Sequence, residues 1–336
     1  MSARISAIEY HLPAAVLDNE ALSAEFPEWS VEKISAKTGI DRRHIADADE
    51  FSSDLAVAAG RKLLDTRGID PAAIDYLIVC TQSPDYYLPS TACVVQDALG
   101  LPTSIGATDI TLGCSGYVYA LGLAKGLIES GQVANVLVIT ADTYSKFINP
   151  ADKSVRTIFG DGAAATLVTG DGDADAMTAF TYGTDGAGAK SLIVPHGGLR
   201  DGVALQPKAD TGARAMEPSG HDLYMDGPDI FNFTLAVVPD SVEQILSKAG
   251  LAQDDVDLFV FHQANAFMLE HLRKKLKVPA EKFFVSLGES GNTVSSTIPI
   301  ALADAERTGA LRPGMKVMLL GFGVGLSWGG LVATWG

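Results

Sequence analysis

The chain repeats itself, and that restricts its architecture more than any other feature. Gly68-Ile69-Asp70-Pro71-Ala72-Ala73-Ile74-Asp75 leads into an apolar run that ends at Cys80. Gly250-Leu251-Ala252-Gln253-Asp254-Asp255-Val256-Asp257 leads into another that ends before His262, 182 positions further on. Cys114 stands before one apolar helical stretch and Asn292 before a second, 178 positions apart, and those stretches end at Ser130-Gly131 and Thr308-Gly309 with the same offset. Near-constant offsets predict two similar halves, residues 1–172 with Cys114 and residues 173–336 with His262 and Asn292. The turn-rich Gly170-Asp171-Gly172-Asp173 forms the joint. A site at the seam between halves is a general expectation for pockets, with no chemistry attached to it.

Short apolar runs alternate with helical stretches, the pattern of an α/β protein. The runs at 75–80, 136–140, 163–168, 258–261, 317–320 and 331–334 are continuous, as in strands covered on both faces. Phe159-Gly160-Asp161-Gly162-Ala163-Ala164 and Phe322-Gly323-Val324-Gly325-Leu326-Ser327 are expected as the strands that close each half.

The 336 residues are 47% hydrophobic, ample for a core, and carry a formal net charge of -16. That field argues against nucleic acid and anionic membranes as partners. Three cysteines, Cys80, Cys93 and Cys114, make neither a disulfide framework nor a zinc-binding spacing. Met1 to Leu12 lacks a basic stretch followed by an apolar run, and no apolar run approaches the roughly 20 residues of a membrane span. A soluble protein of the reducing cytoplasm is expected.

Three residues invite chemistry. Cys114, in Asp109-Ile110-Thr111-Leu112-Gly113-Cys114-Ser115-Gly116, opens a helix whose macrodipole favours a thiolate. A buried structural cysteine is the competing reading, and the one that fits Cys80 and Cys93. His262 follows the strand Leu258-Phe259-Val260-Phe261, at the end where α/β proteins bind ligands. A lone histidine there is more often a hydrogen-bonded core residue. Asn292, in Glu289-Ser290-Gly291-Asn292-Thr293, could equally be a turn or cap residue. Together, at strand-to-helix junctions of a duplicated chain, the three are better explained as one site. Beyond His262, the residues Ala264, Phe267, Met268, His271 and Leu272 are expected to face inward. Arg273, Lys274 and Lys277 fall largely on the other side, with Lys275 nearby.

These motifs resemble those of β-ketoacyl-acyl-carrier-protein synthase III, a condensing enzyme of the thiolase superfamily. The resemblance is carried by 109–116, His262-Gln263-Ala264-Asn265, Gly291-Asn292-Thr293 and Gly321-Phe322-Gly323-Val324-Gly325-Leu326-Ser327-Trp328-Gly329. Lys37-Thr38-Gly39-Ile40, Arg43-His44-Ile45-Ala46 and 159–164 add to it, in order along the whole chain. It implies a thiolase-like duplicated fold in five αβαβα layers, a homodimer, and a Cys114-His262-Asn292 site. It also implies CoA thioesters and phosphopantetheine carriers as substrates, with no bound cofactor and no metal. Cys114 would take an acyl group from acyl-CoA. His262 and Asn292 would stabilise the enolate left by decarboxylation of malonyl-acyl carrier protein, and the backbone N–H groups of Cys114 and Val324 would form a second oxyanion hole.

By the same resemblance, Trp29, Arg156, Gly227 and Asn265 would line the path of CoA or phosphopantetheine. Leu88, before Pro89, would reach the partner subunit's acyl pocket. Trp29 stands further from Thr38-Gly39 than the family pattern has it, Ser154-Val155-Arg156-Thr157 replaces Asp-Arg-Gly-Thr, and Phe267 replaces an arginine. Arg273, Lys274 and Lys275 form a basic cluster in an acidic chain, either a solvated face or a dock for an acidic carrier protein. Acyl transfer to an oxygen or nitrogen nucleophile, and a non-catalytic partner that binds carriers, are the alternatives. The intact trio argues against the second. Acetyl, longer, branched, aromatic and dicarboxylic primers all stay open.

Overall fold

The computed structural model describes residues 1–173, 176–200 and 222–336. The expected joint, Gly170 to Asp173, lies within the described residues, between β7 and β8. The elements run β1 (Arg4–His11), β2 (Ala15–Asp18), α1 (Asn19–Glu25), α2 (Val31–Thr38), β3 (Arg42–Ile45), α3 (Ser52–Arg67) and β4 (Tyr76–Cys80). Then come α4 (Thr91–Ala98), β5 (Gly106–Ile110), α5 (Gly116–Glu129), β6 (Asn135–Asp142), α6 (Lys153–Arg156) and β7 (Gly162–Thr169). The remainder comprises β8 (Met177–Thr184), β9 (Leu192–Ile193), β10 (Tyr224–Met225), α7 (Gly227–Ala249), β11 (Leu258–Phe261), α8 (Ala266–Leu276), α9 (Thr297–Arg307), β12 (Lys316–Gly323) and β13 (Ser327–Thr334).

Two sheets repeat one topology. The first has the order β1-β7-β6-β4-β5, the second β8-β13-β12-β11. In each, two antiparallel pairings are followed by a parallel one, β6 on β4 and β12 on β11. The first sheet adds the parallel strand β5. At the matching place in the second, Phe283 makes a single parallel bridge to Phe259. The sequence offset of 182 therefore superposes β4 on β11 and sets Cys80 and His262 at equivalent positions.

The apolar pattern explains the layering. On α3, Leu55, Ala56, Ala59, Leu63 and Leu64 recur at helical spacing and are buried against the first sheet together with α4. Helix α5 is apolar on nearly every side because it lies between the two sheets, where Val118, Leu121, Ala124 and Ile128 share a core with α9. Helices α7 and α8 cover the far face of the second sheet. The result is a five-layer αβαβα sandwich. Among the described residues no helix is long and apolar enough to cross a membrane.

Three expectations need correction. Residues 322–327 are not a strand: Phe322 and Gly323 end β12, Val324 to Leu326 turn, and Ser327 begins β13. The inward face of α8 is Met268, Leu269 and Leu272, whereas Phe267 is 53% exposed and His271 also faces out. Cys93 is exposed rather than in the core, because the buried positions of α4 are Thr91, Ala92 and Val95.

Candidate active site

Cys114 lies between β5 and α5, where the halves touch. The end of β12 passes so close that a Cβ on Gly323 would stand 2.7 Å from Cys114 Sγ, and one on Gly321 2.5 Å from the Cys114 carbonyl oxygen. No side chain fits at either position. The glycine-rich tail thus lets the second half close over the thiol of the first. The backbone N–H groups of Val324 and Cys114 favour the ionised form of the Cys114 thiol.

The thiol is 5% exposed. Burial pushes it up to about 12, with buried Asp142 adding to the effect and the two N–H groups opposing it. The expected thiolate is therefore corrected: at this depth Cys114 is held as a thiol. A helix terminus supplies at most about 2 kcal/mol, less than the cost of ionising a group so deeply buried. Desolvation wins.

His262 is fully buried, and burial lowers it to about 3, so its imidazole is neutral. Its Nδ1 lies 2.7 Å from the Thr297 hydroxyl. That hydroxyl also donates to the Val294 carbonyl at 3.2 Å. It has one proton, which it can turn to the carbonyl or to Nδ1. Turned to Nδ1, it leaves the ring proton on Nε2, which is then a donor. The edge of Phe322 packs against the ring, with centroids 5.6 Å apart and planes at 85°.

Asn292 is fixed through its backbone. Its N–H donates to Ile158 at 2.9 Å and its carbonyl accepts from Gly160 at 3.1 Å. Its Oδ1 accepts from the Val294 N–H at 2.9 Å, which leaves the amide nitrogen as a donor. Buried Arg43 secures the strip that holds it. The guanidinium donates to the Thr157 carbonyl at 3.0 and 2.5 Å, to Ile40 and to Asn19 Oδ1.

A cavity of about 460 Å³ brings Cys114, His262 and Asn292 together and extends outward past Gly227, Asn265 and Phe267. A buried thiol and two neutral amide- or imidazole-type donors facing one cavity can form an acyl-enzyme and hold a developing oxyanion.

Residues 108–186 match the family 3-Oxoacyl-[acyl-carrier-protein (ACP)] synthase III, and residues 246–335 match its C-terminal counterpart. The beta-ketoacyl-[acyl-carrier-protein] synthase III of Syntrophomonas wolfei is 39% identical, across 100% of this chain and 98% of that protein. A 2.1 Angstrom crystal structure of a 3-oxoacyl-(acyl-carrier-protein) synthase III superposes with a TM-score of 0.93, 48% identity and 100% of both chains covered. The 3-oxoacyl-(acyl-carrier protein) synthase of Burkholderia xenovorans superposes with a TM-score of 0.92 and 41% identity, over 100% of this chain and 95% of that one. The chain belongs to the synthase III family.

Within this synthase III, Gly227 opens α7 and Asn265 caps α8, its Oδ1 accepting from the Met268 N–H at 2.9 Å; both line the cavity. Trp29 and Arg156 do not line it. Arg156 is held by Glu25 at 2.7 and 2.9 Å, and Lys33, Lys37 and Lys153, the last on the same short helix as Arg156, stand over the Trp29 ring. Leu88, 83% exposed, lines a separate cavity of about 890 Å³. Arg273 spends its guanidinium on Glu270 and the Val278 carbonyl, Lys274 shares Glu270, and Lys275 donates to the Leu235 carbonyl.

Sequence reasoning missed Thr297, Phe322, Asp142, Gln82 and Tyr144. Asp142 accepts the Gln82 N–H at 2.8 Å and the Ser295 N–H at 3.2 Å, tying the end of the first sheet to the segment after Asn292; burial pushes its carboxyl up to about 7. Its place two residues after the apolar run 136–140 was the available signal.

Proposed function

We propose that Cys114, His262 and Asn292 are the catalytic residues of this synthase III. It condenses an acyl-CoA primer with malonyl-acyl carrier protein, as a two-half acyltransferase of residues 1–172 and 173–336. The observation that carries this reading is the single cavity shared by a thiol and two oriented donors.

In the first half-reaction, Cys114 sulfur bonds the acyl carbon and the carbon–sulfur bond to CoA breaks. The thiol proton ends on the departing CoA sulfur. Because the thiol is protonated at rest, its proton moves as the attack proceeds. The Cys114 and Val324 N–H groups stabilise the tetrahedral oxyanion. In the second, malonyl loses carbon dioxide, and the bond electrons pass to the thioester oxygen. His262 Nε2–H and the Asn292 amide donate to that oxygen. The enolate carbon then attacks the acyl-cysteine, and the freed Cys114 sulfur takes up a proton.

Gly227 and Asn265 guide the phosphopantetheine arm. Trp29 and Arg156 sit with three lysines where the nucleotide end of CoA would rest. Arg273, Lys274 and Lys275 serve the acidic carrier protein. We read the working form as a cytoplasmic homodimer in which Leu88 enters the partner's acyl chamber. The outer position of β5, with Tyr86, Tyr87 and Leu88 exposed on the loop after β4, supports it.

Separate assays of the half-reactions test the roles. His262→Ala and Asn292→Ala should slow malonyl decarboxylation by about 100- to 1000-fold while Cys114 acylation falls less. Normal decarboxylation with lost acylation would reverse the assignment.

A further inference from the structure

Beyond the end of β12 lies a second, smaller chamber of about 280 Å³, bounded by Val324 and Gly325 and reaching Phe147, Leu192 and Leu223. Its wall is apolar, as a hydrocarbon acyl chain requires, except at Gln82 and Tyr144. Gln82 is close to the reacting centre: a Cβ on Gly113, the residue before Cys114, would stand 2.4 Å from Gln82 Oε1 and 2.7 Å from Val324 Cγ1.

The two polar side chains are not fully satisfied by one another. The Tyr144 hydroxyl donates to Gln82 Oε1 at 2.6 Å. Turned round, the carboxamide would leave the buried phenol proton with no acceptor among the described residues, so the orientation is fixed. The Gln82 backbone is pinned by Asp142 at 2.8 Å. What is left over is the Gln82 Nε2 amide, which makes no hydrogen bond among the described residues; Gln82 borders both this chamber and the 890 Å³ cavity.

We propose that Gln82, oriented by Tyr144, is a specificity-determining residue of the acyl chamber, and that it selects primers carrying a neutral oxygen acceptor along the acyl chain. A plain alkyl chain packed on Gln82 strips water from the amide and returns no partner, whereas a carbonyl or ether oxygen restores the bond. Only an acceptor suits an N–H donor. A carboxylate is disfavoured because Asp85 lines the cavity that Gln82 also borders. The inference rests on Cys114 as the acylated residue.

The test uses the full chain and acyl-CoA primers in matched pairs: straight alkanoyl chains, and the same chains with one ketone carbonyl at successive carbons. Acyl-Cys114 is quantified by mass spectrometry and kcat/KM by condensation with malonyl-acyl carrier protein. At one carbonyl position the oxo primer should be preferred by about tenfold, the ratio one neutral hydrogen bond supplies. Gln82→Leu should erase or invert that preference, and Tyr144→Phe should reduce it. Should Gln82→Leu not fold, Gln82→Met serves. A wild-type enzyme that prefers no carbonyl position while loading Cys114 normally overturns this proposal and leaves the catalytic reading standing. So does a preference unchanged in the Gln82 variant. Absence of loading by every primer overturns both.

Discussion

The Thr297 hydroxyl sits 2.7 Å from His262 Nδ1, at the start of the helix that follows Asn292. It also reaches Val294, whose N–H holds Asn292 Oδ1, so one side chain stands between the two donors assigned to the enolate. Turned to Nδ1, the hydroxyl keeps the ring proton on Nε2; Thr297→Val removes that partner and should let the imidazole populate the other tautomer, in which Nε2 has no proton to give. Malonyl decarboxylation should drop by about tenfold, the value of one well-placed hydrogen bond, with Cys114 acylation less affected. Thr297→Ser should restore it. Equal loss in both half-reactions would indicate a packing defect instead.

Cysteine reactivity should follow exposure. Cys93 is exposed on α4, whereas Cys80 and Cys114 are buried. The Cys80 thiol donates to the Leu112 carbonyl at 3.1 Å, and burial holds both buried thiols protonated. Iodoacetamide should label Cys93 first, Cys114 slowly and Cys80 only on unfolding. Acyl-CoA should modify Cys114 alone. Early labelling of Cys80 would contradict the packing described.

Burial of neutral His262 makes folding pH-dependent. Its folded-state pKa is about 3, below the ordinary 6.5. Above pH 6.5 it is neutral in both states and contributes nothing to the pH dependence. As the pH falls from 6.5 toward 3, the unfolded chain takes a proton that the folded chain refuses, and stability declines. By pH 4.5 the loss should reach about 2 to 3 kcal/mol. Urea denaturation of wild type and His262→Gln at both pH values isolates it. A difference between them that does not change with pH would be the contrary result.

Arg43 is buried and, among the described residues, has no carboxylate on its guanidinium, which instead donates to the Thr157 and Ile40 carbonyls and to Asn19. Its side chain also packs against Gly160 and Gly291, the residues that flank the Asn292 bridge. Arg43→Met should cost about 3 kcal/mol, because it orphans several buried acceptors. Thermal unfolding checks this. A loss below about 1 kcal/mol would mean that the strip is held by its backbone bonds alone.

How much of this was legible in the sequence follows from where the information lies. The offset of 182 placed β4 and β11 in register before any coordinates, because each run is short, continuous and flanked by turn signals. Strands β1 and β8 were not read: Arg4–His11 and Met177–Thr184 mix polar and apolar residues at the outer positions of their sheets. Cys114, His262 and Asn292 each lie in a short segment just before a helix or turn, so local pattern found them. Gln82, Tyr144 and Leu192 meet only through tertiary packing, and nothing local marks them. The thiolate expectation weighed a helix terminus and had no measure of burial.

Carrier docking should depend on Lys274 and Lys275, which are exposed, more than on Arg273, whose side chain is only 21% exposed and is held by Glu270 and Val278. Reversing both lysines should slow the carrier half-reaction, mainly through association, and make it less sensitive to salt. Loading from a small acyl-CoA should be spared. Unchanged carrier kinetics would make this face a solvated one.

The central claim is that Cys114 carries the acyl group in a two-step condensation. Peptide mass spectrometry after incubation with acyl-CoA, before and after addition of malonyl-acyl carrier protein, addresses it directly. The predicted result is an acyl adduct on the Cys114 peptide that disappears on addition of the carrier, with one carbon dioxide released for each acyl group discharged. An adduct on another residue, or one on Cys114 that discharges without carbon dioxide, would contradict the account.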